Sequence, residues 1–166
     1  MYMATFSFDI VSDYDKAEMN NVFAQSEKEI ASRYDFKGTP AGLEWLSDKA
    51  GIKVTGANEW QVDAVLDIVR KKLAAREVSS KVLDLSKDVV ESNLKAVKDI
   101  PFKKGLSQEN AKLISKTVRD EFKKAKPQIQ GDEVRVTSAS KDELQNVMTR
   151  IRQLDVDVPL QFINFR

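Results

Sequence analysis

The chain has 166 residues, 42% hydrophobic and 32% charged, with a formal net charge of only +1, which is ordinary globular composition and not that of a disordered tail. It contains neither cysteine nor histidine, so disulfides, thiol nucleophiles, Ser-His-Asp and Cys-His arrangements and the usual zinc ligand sets are excluded. No apolar run approaches the roughly 20 residues of a membrane span, and the opening MYMATFSFDI lacks the basic and apolar regions of a signal peptide, so a cytoplasmic protein with no membrane association is expected.

Thr5–Val11 alternates Phe6, Phe8 and Ile10 with polar residues, which predicts a half-buried strand. A helix follows, with Ser12 as its cap, Asp15 three residues on, and Val22, Phe23, Ser26, Ile30 and Tyr34 along one face. Strands are predicted at Ala41–Leu46 and Gly51–Thr55, joined by the turn-rich Ser47-Asp48-Lys49-Ala50. Asn58 caps a second helix striped by Val62, Val65, Leu66, Val69 and Leu73, and Val82–Leu85 supplies a short closing strand. The order is βαββαβ.

The second half reads the same way. A strand near Leu94–Ile100 precedes a helix capped by Ser107 with Ala111, Ile114, Val118 and Phe122, then a strand ending at Gln130 and the Gly131-Asp132 turn. Next come a strand at Glu133–Thr137, a helix with the Ser140/Glu143 capping box and the stripe Leu144, Val147, Met148, Ile151 and Leu154, and a strand at Pro159–Phe165. Ile52–Lys72 also lies over Val134–Leu154 without a gap, so one small unit is used twice. The fold class is therefore α+β, with two ferredoxin-like βαββαβ domains, each placing two helices on one face of a four-stranded antiparallel sheet. If Val54 and Val136 face the helices, the open faces offer Lys53, Thr55, Arg135 and Thr137, which suit phosphates better than base stacking.

The copies differ at Arg33-Tyr34-Asp35-Phe36-Lys37-Gly38, which has no counterpart in the second repeat. Arg33 and Lys37 are suited to phosphate, Tyr34 or Phe36 to stacking on a base, Asp35 to a guanine edge, and Gly38 to close backbone approach. The same residues also read as a helix terminus with both rings in the core and Gly38 in a turn. In the hairpin Gln128–Val136, Gln128, Gln130 and Arg135 project from one face and have the donors and acceptors to read a base edge or a phosphate; as structure alone it needs only its turn and the alternation of Ile129, Val134 and Val136. Lys95–Lys126 holds ten Lys or Arg against four carboxylates, a local +6. Within it Lys103, Lys104, Lys123, Lys124 and Lys126 are candidate contacts for RNA or DNA, or simply a solvated face. The closing strand ends on Leu160–Arg166, and either Gln161, Ile163 and Phe165 or Leu160, Phe162, Asn164 and Arg166 face outward. The acidic pairs Asp13/Asp15, Asp132/Glu133 and Asp155/Asp157 sit at turns and caps, where Asp serves the backbone. No phosphate-binding GxxxxGK[ST] or GxGxxG occurs.

The segments Ser7–Ser12, Arg33–Gly38, Gln128–Asp132 with Val134–Val136, and Pro159–Phe162 with Asn164–Arg166 together resemble the YajQ family of bacterial proteins along the whole chain; Trp45 and Trp60 depart from that family's habit. The resemblance implies a nucleotide-binding protein, with some members cytoplasmic receptors for cyclic di-GMP that act on transcription through protein partners, and nucleic-acid binding proposed for others. It further implies exchanged first strands: domain 1 at residues 12–90 completed by a strand at 93–101, and domain 2 at 102–166 completed by residues 4–11. The expected protein is a non-enzymatic binder of a nucleotide (cyclic di-GMP, GTP or ATP) needing no cofactor. The alternatives are an RNA- or DNA-binding protein using the basic segment, and an interaction scaffold.

Overall fold

The computed structural model describes residues 5–166, and residue 4 of the first expected strand lies outside them. The described residues are α+β, with two four-stranded antiparallel sheets and four long helices arranged as duplicated ferredoxin-like domains. The chain divides into two compact units: Tyr14–Lys103, and the residues up to Asp13 together with Lys104–Arg166.

In the continuous unit, α1 (Lys16–Ser32) is capped by Asp15, whose carboxylate accepts from the backbone N–H groups of Ala17 at 2.8 Å and Glu18 at 3.2 Å. Ser12 was the expected cap. It is instead buried in the other unit, where its hydroxyl has no hydrogen-bond partner. The helix buries Met19, Val22, Ser26 and Ile30. β2 (Gly42–Trp45) and β3 (Gly51–Gly56) form the hairpin with Leu43 opposite Val54. In α2 (Glu59–Ala75) the Asn58 side chain accepts from the Gln61 N–H, and Val62, Val65, Leu66, Val69 and Leu73 are all buried. Arg76 at the end of α2 grips Glu18 of α1 through two hydrogen bonds of 2.7 and 3.0 Å, fixing the helix pair.

The predicted strand at Val82–Leu85 is not formed. Ser80–Val82 is a 3-10 turn whose Ser79 hydroxyl accepts from the Lys81 N–H, and Leu83 makes only an isolated bridge to Phe102. Val82 and Leu83 are both buried although adjacent, which the two-sided alternation of a strand does not allow on a one-sided sheet. The closing strand is β4 (Val90–Ser92), paired with β5 (Lys95–Pro101), and the sheet order is β2-β3-β5-β4.

Gly51 shows how tightly β3 and β5 are joined. A Cβ there would lie 2.5 Å from the Ile100 carbonyl oxygen and 2.6 Å from the Pro101 Cα, both backbone atoms that cannot swing aside. Gly51→Ala is therefore expected to destabilise the protein by about 2–3 kcal/mol, within the overpacking range, as a lowered urea midpoint with an unchanged m-value. An unshifted midpoint would show that the strands part without cost.

In the other unit, α3 (Gln108–Glu121) starts at the Ser107 cap, β6 (Ala125–Gln130) and β7 (Glu133–Ser138) form the hairpin, and α4 (Lys141–Arg152) starts at the Ser140 cap. The sheet order is β6-β7-β1-β8, with β1 (Phe6–Val11) between β7 and β8 (Gln161–Ile163). β1 thus holds the position that β5 holds in the first sheet. Phe8, Ile10, Val134, Val136, Ile114, Val118, Val147 and Ile151 form its buried core. Ile129, expected to point inward with Val134, is 43% exposed because β6 is an edge strand.

Candidate functional site

The extra segment of the first repeat folds into a 3-10 turn, Tyr34–Phe36, directly after α1. The turn separates its two rings. Phe36 is 5% exposed and joins the core, whereas Tyr34 is 86% exposed. Tyr34 thus leaves the helix stripe in which it was expected, and Phe36 lies in the core as the structural reading has it. Gly38 follows at φ +74, a left-handed backbone that glycine adopts without strain.

Arg33 lies with its guanidinium 4.6 Å over the Phe36 ring and makes two hydrogen bonds to Asp35, Nε to Oδ1 at 3.0 Å and Nη2 to Oδ2 at 2.7 Å. Those bonds hold the Asp35 carboxyl below its usual value and raise the Arg33 guanidinium. The pair lies beside the turn, partly exposed on both sides. Lys37 Nζ stands 5.8 Å from the Tyr34 ring centre.

Beside this turn a depression of about 590 Å³ opens between α1 and β2, lined by Lys28, Ile30, Arg33, Phe36, Lys37 and Leu43 among others. Lys28, Arg33, Lys37 and Glu27 line it, and with Arg33 paired to Asp35 the two lysines leave a small net positive charge. Lys28 was missed at the sequence level because it reads only as one solvated position of a helix. A cleft of this volume is of the size that holds small ligands.

The hairpin candidates stand elsewhere. Gln128 lies opposite Arg135 across β6 and β7, and Arg135 lies opposite Asp9 across β7 and β1, so all three share the open sheet face with Gln130. Arg135 is not available in the way expected. Its Nε and Nη2 donate to Asp9 Oδ1 and Oδ2 at 2.8 and 3.3 Å, and the Asn164 amide donates to Oδ2 at 2.8 Å. Asp9 is 1% exposed although it points to the sheet's outer face. The hydrogen bond from Arg135 above all, then that from Asn164, holds its carboxyl below the usual range against the opposing effect of burial. Asn164 reaches Asp9 because its backbone is left-handed at φ 56, breaking the alternation after Phe162, which packs edge-on against Phe8 at 5.5 Å. Gln128 and Gln130 remain at the surface, 3.5 Å from each other.

Of the basic candidates, Lys103 falls in the continuous unit and Lys104, Lys123, Lys124 and Lys126 in the other. Lys123 and Lys124 are exposed between α3 and β6, and Lys126 is exposed on β6. Among the described residues no group of three or more acidic side chains is placed to hold a metal ion, and no helix is long and apolar enough to cross a membrane.

Residues 6–166 match the family described as nucleotide-binding protein YajQ-like. The chain belongs to that family. Similar proteins include nucleotide-binding proteins of Nostoc punctiforme, 47% identical over 98% of this chain and 99% of the relative, of Nocardioides, 46% identical over 99% and 100%, and of Mycobacterium avium, 44% identical over 99% and 100%. The match runs the length of this YajQ-like chain, so it takes in the Arg33–Gly38 turn, β1 and the C-terminal strand together.

Proposed function

We propose that this chain is a non-enzymatic nucleotide-binding protein whose ligand lies in the depression beside the Arg33–Gly38 turn. The observation that carries the proposal is that a segment the second repeat lacks brings Arg33 and Lys37 to a cavity that Lys28 also lines, and leaves Tyr34 exposed in the same turn. The lysines supply mobile point charges for phosphate, and Arg33 keeps the N–H donors that its pair with Asp35 does not use. Tyr34 offers a ring face for a base. The names of the relatives support the ligand class. Within it the resemblance favours cyclic di-GMP over GTP and ATP, with a partner in transcription reading the bound state from the cytoplasm. Gln128, Gln130 and Arg135 stand in the other unit, and with Arg135 committed to Asp9 this reading assigns them no phosphate contact.

The test is a calorimetric titration of cyclic di-GMP, GTP, ATP and single-stranded RNA at two salt concentrations. Lys28→Ala with Lys37→Ala is expected to weaken nucleotide binding at least tenfold while leaving the thermal midpoint within about 2 °C, since surface changes alter stability by less than about 0.5 kcal/mol. Unchanged affinity in the folded double variant overturns the site. Affinity that falls steeply with salt, for RNA alone, supports instead the basic segment with Lys103, Lys104, Lys123, Lys124 and Lys126 as the interface.

A further inference from the structure

The first sheet ends at β2, so one edge of that strand faces no neighbour in the sheet. The Leu46 N–H donates to the Gly51 carbonyl at 2.9 Å, and antiparallel pairing alternates from there, so Gly42 and Glu44 turn their backbone groups toward β3. Leu43 and Trp45 therefore turn theirs outward.

Sheet edges are ordinarily guarded against further strands. β6 carries Pro127, which has no N–H to offer, while β4 and β8 have only three residues each and β8 runs into the left-handed Asn164. The run Gly42-Leu43-Glu44-Trp45 has none of these devices. An unguarded edge beside a cleft is the arrangement to which extended peptides add as a further strand.

The cleft is the depression of about 590 Å³ between α1 and β2. Its helix wall is made by Ala24, Lys28 and Ala31, which fall on one helix face, and the two small side chains leave room beside the strand. Ile30 and Leu43 give it an apolar floor, and Lys28 and Lys37 add cations. Phe23 of α1 stacks on Trp45 at 4.2 Å and holds the helix against β2. A compact ligand can fill this cleft, but only an extended chain also pairs the outward backbone groups of Leu43 and Trp45. Every second side chain of such a chain enters the cleft. Apolar ones there meet the floor, and acidic ones meet Lys28 and Lys37.

We propose that β2 and α1 form a docking groove for an extended segment of a protein partner, which adds to the sheet as a fifth strand. Its cleft-facing side chains are apolar at the centre and acidic at the ends. The groove shares Lys28 and Lys37 with the nucleotide reading above, but it needs the β2 edge and not Tyr34. One consequence rests on that reading: nucleotide and segment exclude one another, so bound nucleotide releases the partner.

The experiment is an amide-resolved hydrogen-exchange and NMR titration of the full chain with the capped peptide Glu-Thr-Val-Thr-Val-Thr-Glu, whose valines and glutamates share one face. The peptide is expected to slow exchange of the Leu43 and Trp45 amides at least tenfold, and to bind at least tenfold more tightly than its counterpart with lysine ends. Ala24→Glu with Ala31→Glu, both at exposed positions, is expected to abolish binding. Equal binding of the two peptides, or peptide-induced shifts without slowed exchange at Leu43 and Trp45, overturns the proposal. The peptide arm in the unaltered protein decides it even if the double variant fails to fold. Nucleotides are read separately, at the amides of Arg33–Gly38, so their failure to bind removes the earlier reading and the exclusion while leaving the strand pairing intact. Simultaneous saturation by nucleotide and peptide overturns the exclusion.

Discussion

A chain shortened by residues 1–13 is expected to lose the folded structure of Lys104–Arg166 while Tyr14–Lys103 stays folded. The reason is positional. β1 is an interior strand, hydrogen-bonded to β7 on one side and β8 on the other, and its Phe8 and Ile10 are fully buried. Losing one such side chain costs about 3–5 kcal/mol for Phe→Ala, and removal of both with two strand pairings exceeds the 5–15 kcal/mol that holds a domain together. Amide spectra should show dispersed signals for residues 14–103 and collapsed signals for 104–166. The fragment Tyr14–Lys103, which contains β2, β3, β5 and β4 in one stretch, should fold alone. Dispersed signals from Lys104–Arg166 in the shortened chain would refute this account.

The second large effect is expected at Asp9. Asp9→Ala leaves the Arg135 guanidinium and the Asn164 amide without their shared acceptor, and Asn164 is the left-handed residue between β8 and the backbone pairing of Arg166 with Ser7. Breaking a buried ion pair costs about 3–5 kcal/mol. Arg135 is partly exposed and rehydrates, so about 2–3 kcal/mol is expected, measured as a lowered urea midpoint. Asp9→Asn retains an oxygen for Asn164 and should cost less.

The same pair sets a pH window. Because the folded carboxyl is held below its ordinary value of 3.8, its contribution is fully present above that value and is lost as pH falls through the lower folded one. A stability profile of the unaltered protein should therefore drop below about pH 4 more steeply than that of Asp9→Ala. Parallel profiles would place the acid sensitivity elsewhere.

Much of this fold was legible because each half states its elements in local chemistry. Asn58, Ser107 and Ser140 begin their helices where the caps predict, the expected stripe of α2 is buried, and that of α4 is buried as far as Ile151, Leu154 falling beyond the helix and only partly buried. What failed was local chemistry with two solutions. Ser12 and Asp15 are both good caps, and burial of Ser12 in the other unit left the helix to Asp15. β4 was missed because its valine is 64% exposed on an edge strand, so no alternation marks it, while Val82 and Leu83 imitate a strand from within a turn. At the candidate site Arg33 and Lys37 line one depression, but placing Phe36 in its lining and Tyr34 in solvent needed the turn that separates the two rings. Arg135 illustrates a harder limit. Nothing in SFDIV announces that Asp9 will meet an arginine 126 positions away, because the partner is chosen by strand register and not by sequence distance.

The interior placement of β1 also fixes an order of events during synthesis. Residues 14–103 can close their sheet as soon as they have emerged, but β1 must wait for β7 and β8, more than a hundred residues later. At roughly 5–20 residues per second the wait for β8 is about 8–30 s. Throughout it Phe6, Phe8 and Ile10 have no sheet to enter, and the alternation that later fills a core is, on the nascent chain, a sticky strand with both edges unpaired. A chaperone that protects such a segment would act on this protein before its second domain exists.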